Sequence, residues 1–376
     1  MRMRPFTALV IPFTAVLAPF IVPATSLCGD LYTYTKIADT SGPFDSLSNP
    51  FGLSDLGEVV FEAQLTGGNE EIHVGDGITS RLVVSTTGEF SSFVFPPDIN
   101  NSGTVVVSGT LDAGGDAIRM FDSVGGSALI ADTSGAFFSV VAGNINNSGT
   151  AAFFATLDAG GQEIRSGNSV STTLIADTTG DFDSFNTGSG INDAGVVSFW
   201  TMLDAGSAEV WTSNGTTSTL IASPGTGGSL ASIAHSINSD NTVAFVVKPI
   251  GGDQELRIGN SVGASTLITT GGTFTSGAAV INDLDVVAFV RPAAIFTTLD
   301  LAQPVITTGE MLDGKIIAAL DFAGALNNQN QVAFHVWFND GSEAIYRATG
   351  IPEPSSLLLA AVGLMGLLGC VGRRRR

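Results

Sequence analysis

One segment recurs along this chain at nearly constant intervals. Ile-Asn-Asn-Ser-Gly-Thr at Ile99 returns at Ile145, then as Ile-Asn-Asp-Ala-Gly-Val at Ile191, with looser copies from Leu53, Ile237, Ile281 and Leu326. Successive starts differ by 46, 46, 46, 46, 44 and 45 residues. A period of this length over seven copies is the mark of a repeat array, in which each copy is one supersecondary unit.

Each copy holds four short runs of β character between turn residues. They are typified by Phe182-Asp183-Ser184-Phe185, Val243-Ala244-Phe245-Val246, Glu255-Leu256-Arg257 and the Leu-Ile-Ala-Asp run at Leu129 and Leu174. β-branched and aromatic residues alternating with Ser, Thr and charge fit strands packed between layers. Four strands in about 46 residues match one propeller blade. The chain starts on the fourth run, Tyr34-Thr35-Lys36-Ile37-Ala38-Asp39, and its last repeat stops at the third, Glu343-Ala344-Ile345-Tyr346-Arg347. The expected fold is therefore all-β: a seven-bladed β-propeller of four-stranded blades, closed when residues 31–40 supply the strand missing from the last blade. A β-solenoid is the alternative, but it has no need of that exchange.

The two ends read as targeting segments. Residues 1–26 carry Arg2 and Arg4, an apolar run from Phe6 to Val22 and small residues at Ala24 and Ser26, the order of a secretory signal. Residues 351–376 read Ile351-Pro352-Glu353-Pro354-Ser355, then an apolar stretch from Leu357 to Val371, then Arg373 to Arg376. As a helix, 355–372 would run about 27 Å, near the thickness of a bilayer core, with the arginines holding its end in the cytoplasm. This combination resembles the PEP-CTERM sorting signal of exopolysaccharide-producing Gram-negative bacteria. The resemblance implies recognition at Pro352, Glu353 and Pro354 by an exosortase-type membrane enzyme and removal of the tail. It also implies transient anchoring in the inner membrane, then residence at the cell surface or in the extracellular matrix. Cys370 would leave with the tail, and Cys28 would have no partner. The body, residues 27–350, is similar to exported bacterial repeat proteins with NxxGxxxAF motifs and a choice of C-terminal anchors, as in Asn238 to Phe245 and Asn192 to Phe199.

Charge narrows the partners. The chain has 15 basic and 35 acidic residues, a net charge of −20. Six of the basic residues lie in the two end segments and none of the acids do beyond Glu353, so residues 27–353 carry −26. Such a body repels phosphate backbones, and nucleic acid is excluded as a partner. The membrane is expected to be met only through the targeting segments.

Among candidate site residues, Asn100, Asn146, Asn192, Asn238, Asn282 and Asn327 recur blade by blade, with Ser54 in their place in the first copy. A residue repeated in almost every blade is expected to shape the turn between strands a and b, helped by positive φ at Gly103, Gly149 and Gly195. Strand alternation places the b–c and d–a loops at one end of the ring. There Asp112, Asp116, Asp158, Asp177 and Asp204 are candidate oxygen ligands for calcium, although no Asp-x-Asp-x-Asp-Gly loop is present. No other cofactor is expected. His73, His235 and His335 occupy unlike positions in different blades and read as packing residues. Trp200 reads as the end of a b strand. No P-loop, Gly-x-Ser-x-Gly, His-Glu-x-x-His or sialidase box occurs. The expectation is a non-enzymatic structural or binding component, with exopolysaccharide as a candidate partner. The alternative is a polysaccharide-active hydrolase or lyase using the acidic loops.

Overall fold

The computed structural model describes residues 31–351 except 226–227, 232–235, 272 and 275–278. The targeting segments, His235, Cys28, Cys370 and Pro352 to Pro354 lie outside the described residues. Seven antiparallel sheets follow one another in chain order. Blade 2 shows the pattern: Phe90–Ile99 (strand a), Val105–Leu111 (b), Asp116–Phe121 (c) and Ser127–Asp132 (d) pair in sequence order. The chain is an all-β, seven-bladed propeller.

The seventh blade takes its strands from both ends of the body. Lys315–Leu326, Val332–Phe338 and Glu343–Gly350 supply a, b and c, and Tyr32–Asp39 supplies d. The register runs from Tyr32 opposite Gly350 to Asp39 opposite Ala344, with a bulge between Lys36 and Ala38. The d strands of blades 2 and 3 carry a bulge at the matching point. The N-terminal strand is thus a true strand d moved to the far end of the sequence. Closing the ring pairs what would otherwise be an open sheet edge.

Between blades the core is built from one repeated position. Phe61, Phe153, Phe199, Phe245, Phe289 and Phe334 are the third residue of their b strands and are buried, with Val107 in the same place in blade 2. Each is the Phe of its repeat motif or its equivalent, so the motif's aromatic residue forms the contact between neighbouring sheets. At the closing seam, Ile37 of the N-terminal strand packs in one cluster with Phe61, Leu53 and Ile345. Truncating such a Phe to Ala typically costs about 3–5 kcal/mol.

Around the axis, Leu53, Ile99, Ile145, Ile191, Ile237, Ile281 and Leu326 end the a strands and form an aliphatic girdle. It separates a cavity of about 180 Å³ towards the b–c/d–a end from one of about 170 Å³ at the a–b end. Among the described residues no helix is long and apolar enough to cross a membrane; the span expected at 355–372 lies outside them.

Candidate functional site

The six repeated asparagines are buried in the a–b turns. In each, Oδ1 accepts the backbone N–H groups two and four residues on, as Asn146 does from Ser148 (3.1 Å) and Thr150 (2.9 Å). The residue three positions on has positive φ in every turn: Gly57, Gly103, Gly149, Gly195, Asn241, Asp285 and Asn330. The amide then reaches outside its own turn. Nδ2 of Asn100 donates to the carbonyl of Asn146, Asn146 to Asn192, Asn192 to Asn238 and Asn282 to Asn327, all at 2.9–3.0 Å. Asn238 reaches Asn282 at 3.5 Å, and Asn327 closes on Ser54 across the seam at 2.9 Å. Where Asn or Asp replaces Gly, its side chain accepts a further bond from the preceding blade, as Asn330 does from Asn282.

A second ring runs one residue later. The N–H groups of Asp55, Asn101, Asn147, Ser239, Asp283 and Asn328 each donate to the side chain at the same place in the next blade. The inner ring is interrupted at Ser54 and the outer at Ser239, where the side chain is too short to bridge. Spacing alone showed that the Asn recurs; only the assembled ring shows that it joins blades.

The aspartates proposed for calcium are not gathered. Asp112, Asp158 and Asp204 are exposed tips of three separate b–c turns. Asp116 accepts from Thr110 Oγ1 at 3.1 Å, and Asp177 caps its own turn by accepting from Thr179 N and Oγ1. Among the described residues no group of three or more His, Cys, Asp or Glu side chains is placed to hold a metal ion. The loops are spaced by blades, and Asp116 and Asp177 are engaged within their own blades.

Chemistry converges elsewhere, between blades 7, 1 and 2. A cavity of about 320 Å³ is lined by Asn49, Phe51, Glu62, Phe93, Phe95, His335 and Trp337. Glu62 and His335 are the fourth residues of adjacent b strands, Val59–Leu65 and Val332–Phe338. Burial pushes the Glu62 carboxyl up to about 7, and the charge of Glu70 adds to the rise. His335 is fully buried, and burial pushes its imidazole down to about 4. Its Nδ1 lies 3.2 Å from Asn49 Oδ1, while Asn49 Nδ2 donates to Asp321 at 2.7 Å. The amide orientation makes Nδ1 the donor. Nε2 lies 3.3 Å from Glu343 Oε2 but makes no hydrogen bond. At neutral pH the ring is uncharged, so this is a contact and not an ion pair. Trp337 stands against the imidazole with centroids 4.0 Å apart.

The cavity shares Phe51, Phe95 and Pro96 with the axial one, into which Asp98 faces. Burial pushes Asp98 up to about 6, against hydrogen bonds from Ile145 N, Asn144 Nδ2 and Ile99 N. A site of this kind combines aromatic walls with a few polar groups of shifted pKa, the usual make-up of a ligand pocket.

Sequence reading passed over Glu62, Asp98 and Asn49 and gave His335 to packing. A signal was present. The fourth b-strand position reads Glu62, Ser108, Phe154, Trp200, Val246, Val290 and His335, polar only in blades 7, 1 and 2. Trp200, expected at a strand end, sits in the middle of Val197–Leu203.

Comparison with known proteins adds the tail's identity. Residues 350–376 match the PEP-CTERM protein-sorting motif. The motif indicates export and membrane-transient sorting to the cell surface. No curated protein matches the chain. Among solved structures, the chain is similar to the β-propeller domain of the trilobed protease from Pyrococcus furiosus, at 11% identity and a TM-score of 0.55, covering 83% of this chain and 99% of that one. It is also similar to a chain from a study of two prolyl endopeptidases, at 12% identity and a TM-score of 0.54, covering 83% of this chain and 51% of that one. These likenesses concern the fold. The archaeal domain is described as having an open velcro topology, whereas here Tyr32–Asp39 closes the ring.

Proposed function

We propose that this chain is an exported binding protein that captures carbohydrate at the cavity between blades 7, 1 and 2. Residues 1–26 direct export. An exosortase-type enzyme recognises Pro352 to Pro354 and removes residues 351–376, leaving the body at the surface or in the exopolysaccharide matrix of a Gram-negative bacterium. The observation that carries the reading is the pairing of Phe51, Phe93, Phe95 and Trp337 with Glu62, whose carboxyl has no hydrogen-bond partner among the described residues. Aromatic faces pack against the C–H faces of sugar rings, and the carboxyl meets a hydroxyl or ammonium group. The charge of −26 on residues 27–353 disfavours uronate polymers. The ligand class is therefore neutral or amino-sugar polysaccharide.

Retention assays with glucosamine oligosaccharides and with a polyuronate test this. Retention of the former, weakened at least tenfold by Glu62→Ala and by Trp337→Ala, is the expected result. Unchanged retention in both variants would sink the proposal. A falling polymer mass during incubation would instead favour a hydrolase or lyase, with Glu62, held near neutrality, as its proton donor.

A further inference from the structure

The strand exchange that closes the ring also decides where the chain enters and leaves it. Strand c of the last blade ends at Gly350 opposite Tyr32, the first residue of its strand d. In the other blades a c–d turn joins these two points. In blade 7 the turn is replaced by the two chain ends, and Ile351 N donates to Leu31 O at 2.8 Å. Both targeting segments therefore depart from one spot on the a–b/c–d end. The apolar run from Leu357 follows Ile351 by six residues. At about 3.3–3.6 Å per residue this tether reaches roughly 20 Å at most.

That same end carries apolar turn tips. Ile78, Val124 and Val170 stand in the c–d turns of blades 1 to 3 with 92%, 91% and 89% of their surface exposed. Val262 and Leu299 occupy the c–d connections of blades 5 and 6 and are exposed as well. Leu31 and Ile351, both exposed, complete the series at blade 7. Leu56 and Leu284 add exposed aliphatics on two a–b turns. The opposite end exposes fewer: Ile250 on a b–c turn, Phe138 at the start of an a strand and Met311 ahead of the last a strand, beside the aspartate tips Asp112, Asp158 and Asp204. The aspartates beside the aliphatic tips are already engaged: Asp76 and Asp122 cap their own turns, and Asp55, Asp193 and Asp283 lie in the outer hydrogen-bond ring.

We propose that the a–b/c–d end is a membrane-facing surface, docking through its aliphatic turn tips on the bilayer that holds the chain's own tail. Each tip gains little alone, and the acidic body would not seek a bilayer. The short tether raises the local concentration of the surface to the millimolar range or above, where several small gains suffice. Removal of the tail abolishes that advantage and frees the body. While tethered, the molecule holds the Glu62 cavity away from the membrane. This inference does not depend on what the cavity binds.

The test uses the full chain with Cys28→Ser and Cys370→Ser, reconstituted through its tail into phosphatidylcholine vesicles containing brominated lipid. An environment-sensitive dye is attached at Ser123→Cys, beside Val124, or at Ala159→Cys on a b–c turn. The expected result is quenching at least threefold stronger at 123 than at 159. That contrast falls by half or more when Ile78→Asp and Val170→Asp are added. Equal quenching at the two sites overturns the proposal. A contrast indifferent to the Asp substitutions overturns it too, because the tether alone would then orient the body. A chain that fails to float with the vesicles overturns both the docking and the reading of 355–372 as a span.

Discussion

The a–b end of the ring and the cavity between blades 7, 1 and 2 are made from the same repeat and differ in how they use it. At the a–b end nearly every blade contributes the same residue to the same bond, so the chemistry is closed on itself. Asn146 accepts three hydrogen bonds and donates one, all of them within the ring of turns. At the cavity the repeat is broken. Positions filled elsewhere by Phe154, Val246 or Val290 hold Glu62 and His335, whose polar atoms are poorly matched by their neighbours. In an array, repetition marks what each blade needs from the next. Departure from it marks what the blades do not need from each other.

Three substitutions break or sharpen this contrast. The largest effect is expected from Asn146→Ala, which takes the acceptor from the partly buried N–H groups of Ser148 and Thr150 and one of the two donors from the buried carbonyl of Asn192, the other being Gly195 N. It should cost about 2–4 kcal/mol, read as a lower urea midpoint at unchanged slope. An effect below 0.5 kcal/mol, on the order of a surface substitution, would show that the ring is ornamental.

Glu62→Gln acts in the opposite direction. In the folded protein Glu62 holds its proton up to about 7, against 4.5 unfolded, so the native state binds more protons and stability falls as pH rises between those values. Removing the charge should stabilise the protein by ~1–3 kcal/mol at pH 8 and by almost nothing at pH 4. His335 has the reverse sign, since its folded value of about 4 lies below 6.5; its contribution is present above 6.5 and is lost as pH falls towards 4. Asp98, raised from 3.8 to about 6, acts in the same direction as Glu62. Glu62→Gln should therefore make stability fall less with rising pH between 4.5 and 7 than in the native chain, and an unchanged dependence of melting temperature on pH would contradict the assignment.

The smallest effect is expected from Ser54→Asn, which supplies the amide missing from the inner ring and lets it reach Asn100. A gain of about 0.5–1.5 kcal/mol is anticipated, measured by the same urea titration, and a loss would mean that the seam does not accept the regular residue.

The fold was legible because its information is redundant. Six near-equal spacings and a misplaced fourth strand announced the propeller and its closure, and any single ambiguous run was outvoted by its copies. The a–b turn of Asn100 was legible for the same reason, since its Oδ1 bonds are local. The inter-blade half of that side chain's work was not, because it needs the blades side by side. The cavity escaped for a deeper reason. Attention to recurring residues led to Asp112, Asp158 and Asp204, which recur because turns tolerate them, and away from Glu62 and Asp98, which occur once. The outlying acids sit apart by the width of a blade, whereas Glu62, Asn49 and His335 are joined only when the last sheet docks against the first.

That docking also imposes a schedule. Tyr32–Asp39 is among the first parts of the body to be made and to cross the membrane, yet its partner, Glu343–Gly350, is among the last. The early strand must wait, unpaired, for six complete blades to emerge. The ring can shut only when the whole body stands on the far side with the sorting motif at the membrane behind it. Closure is thus the last step of assembly: a body arrested midway keeps an open sheet edge at blade 7 and an incomplete cavity between blades 7, 1 and 2.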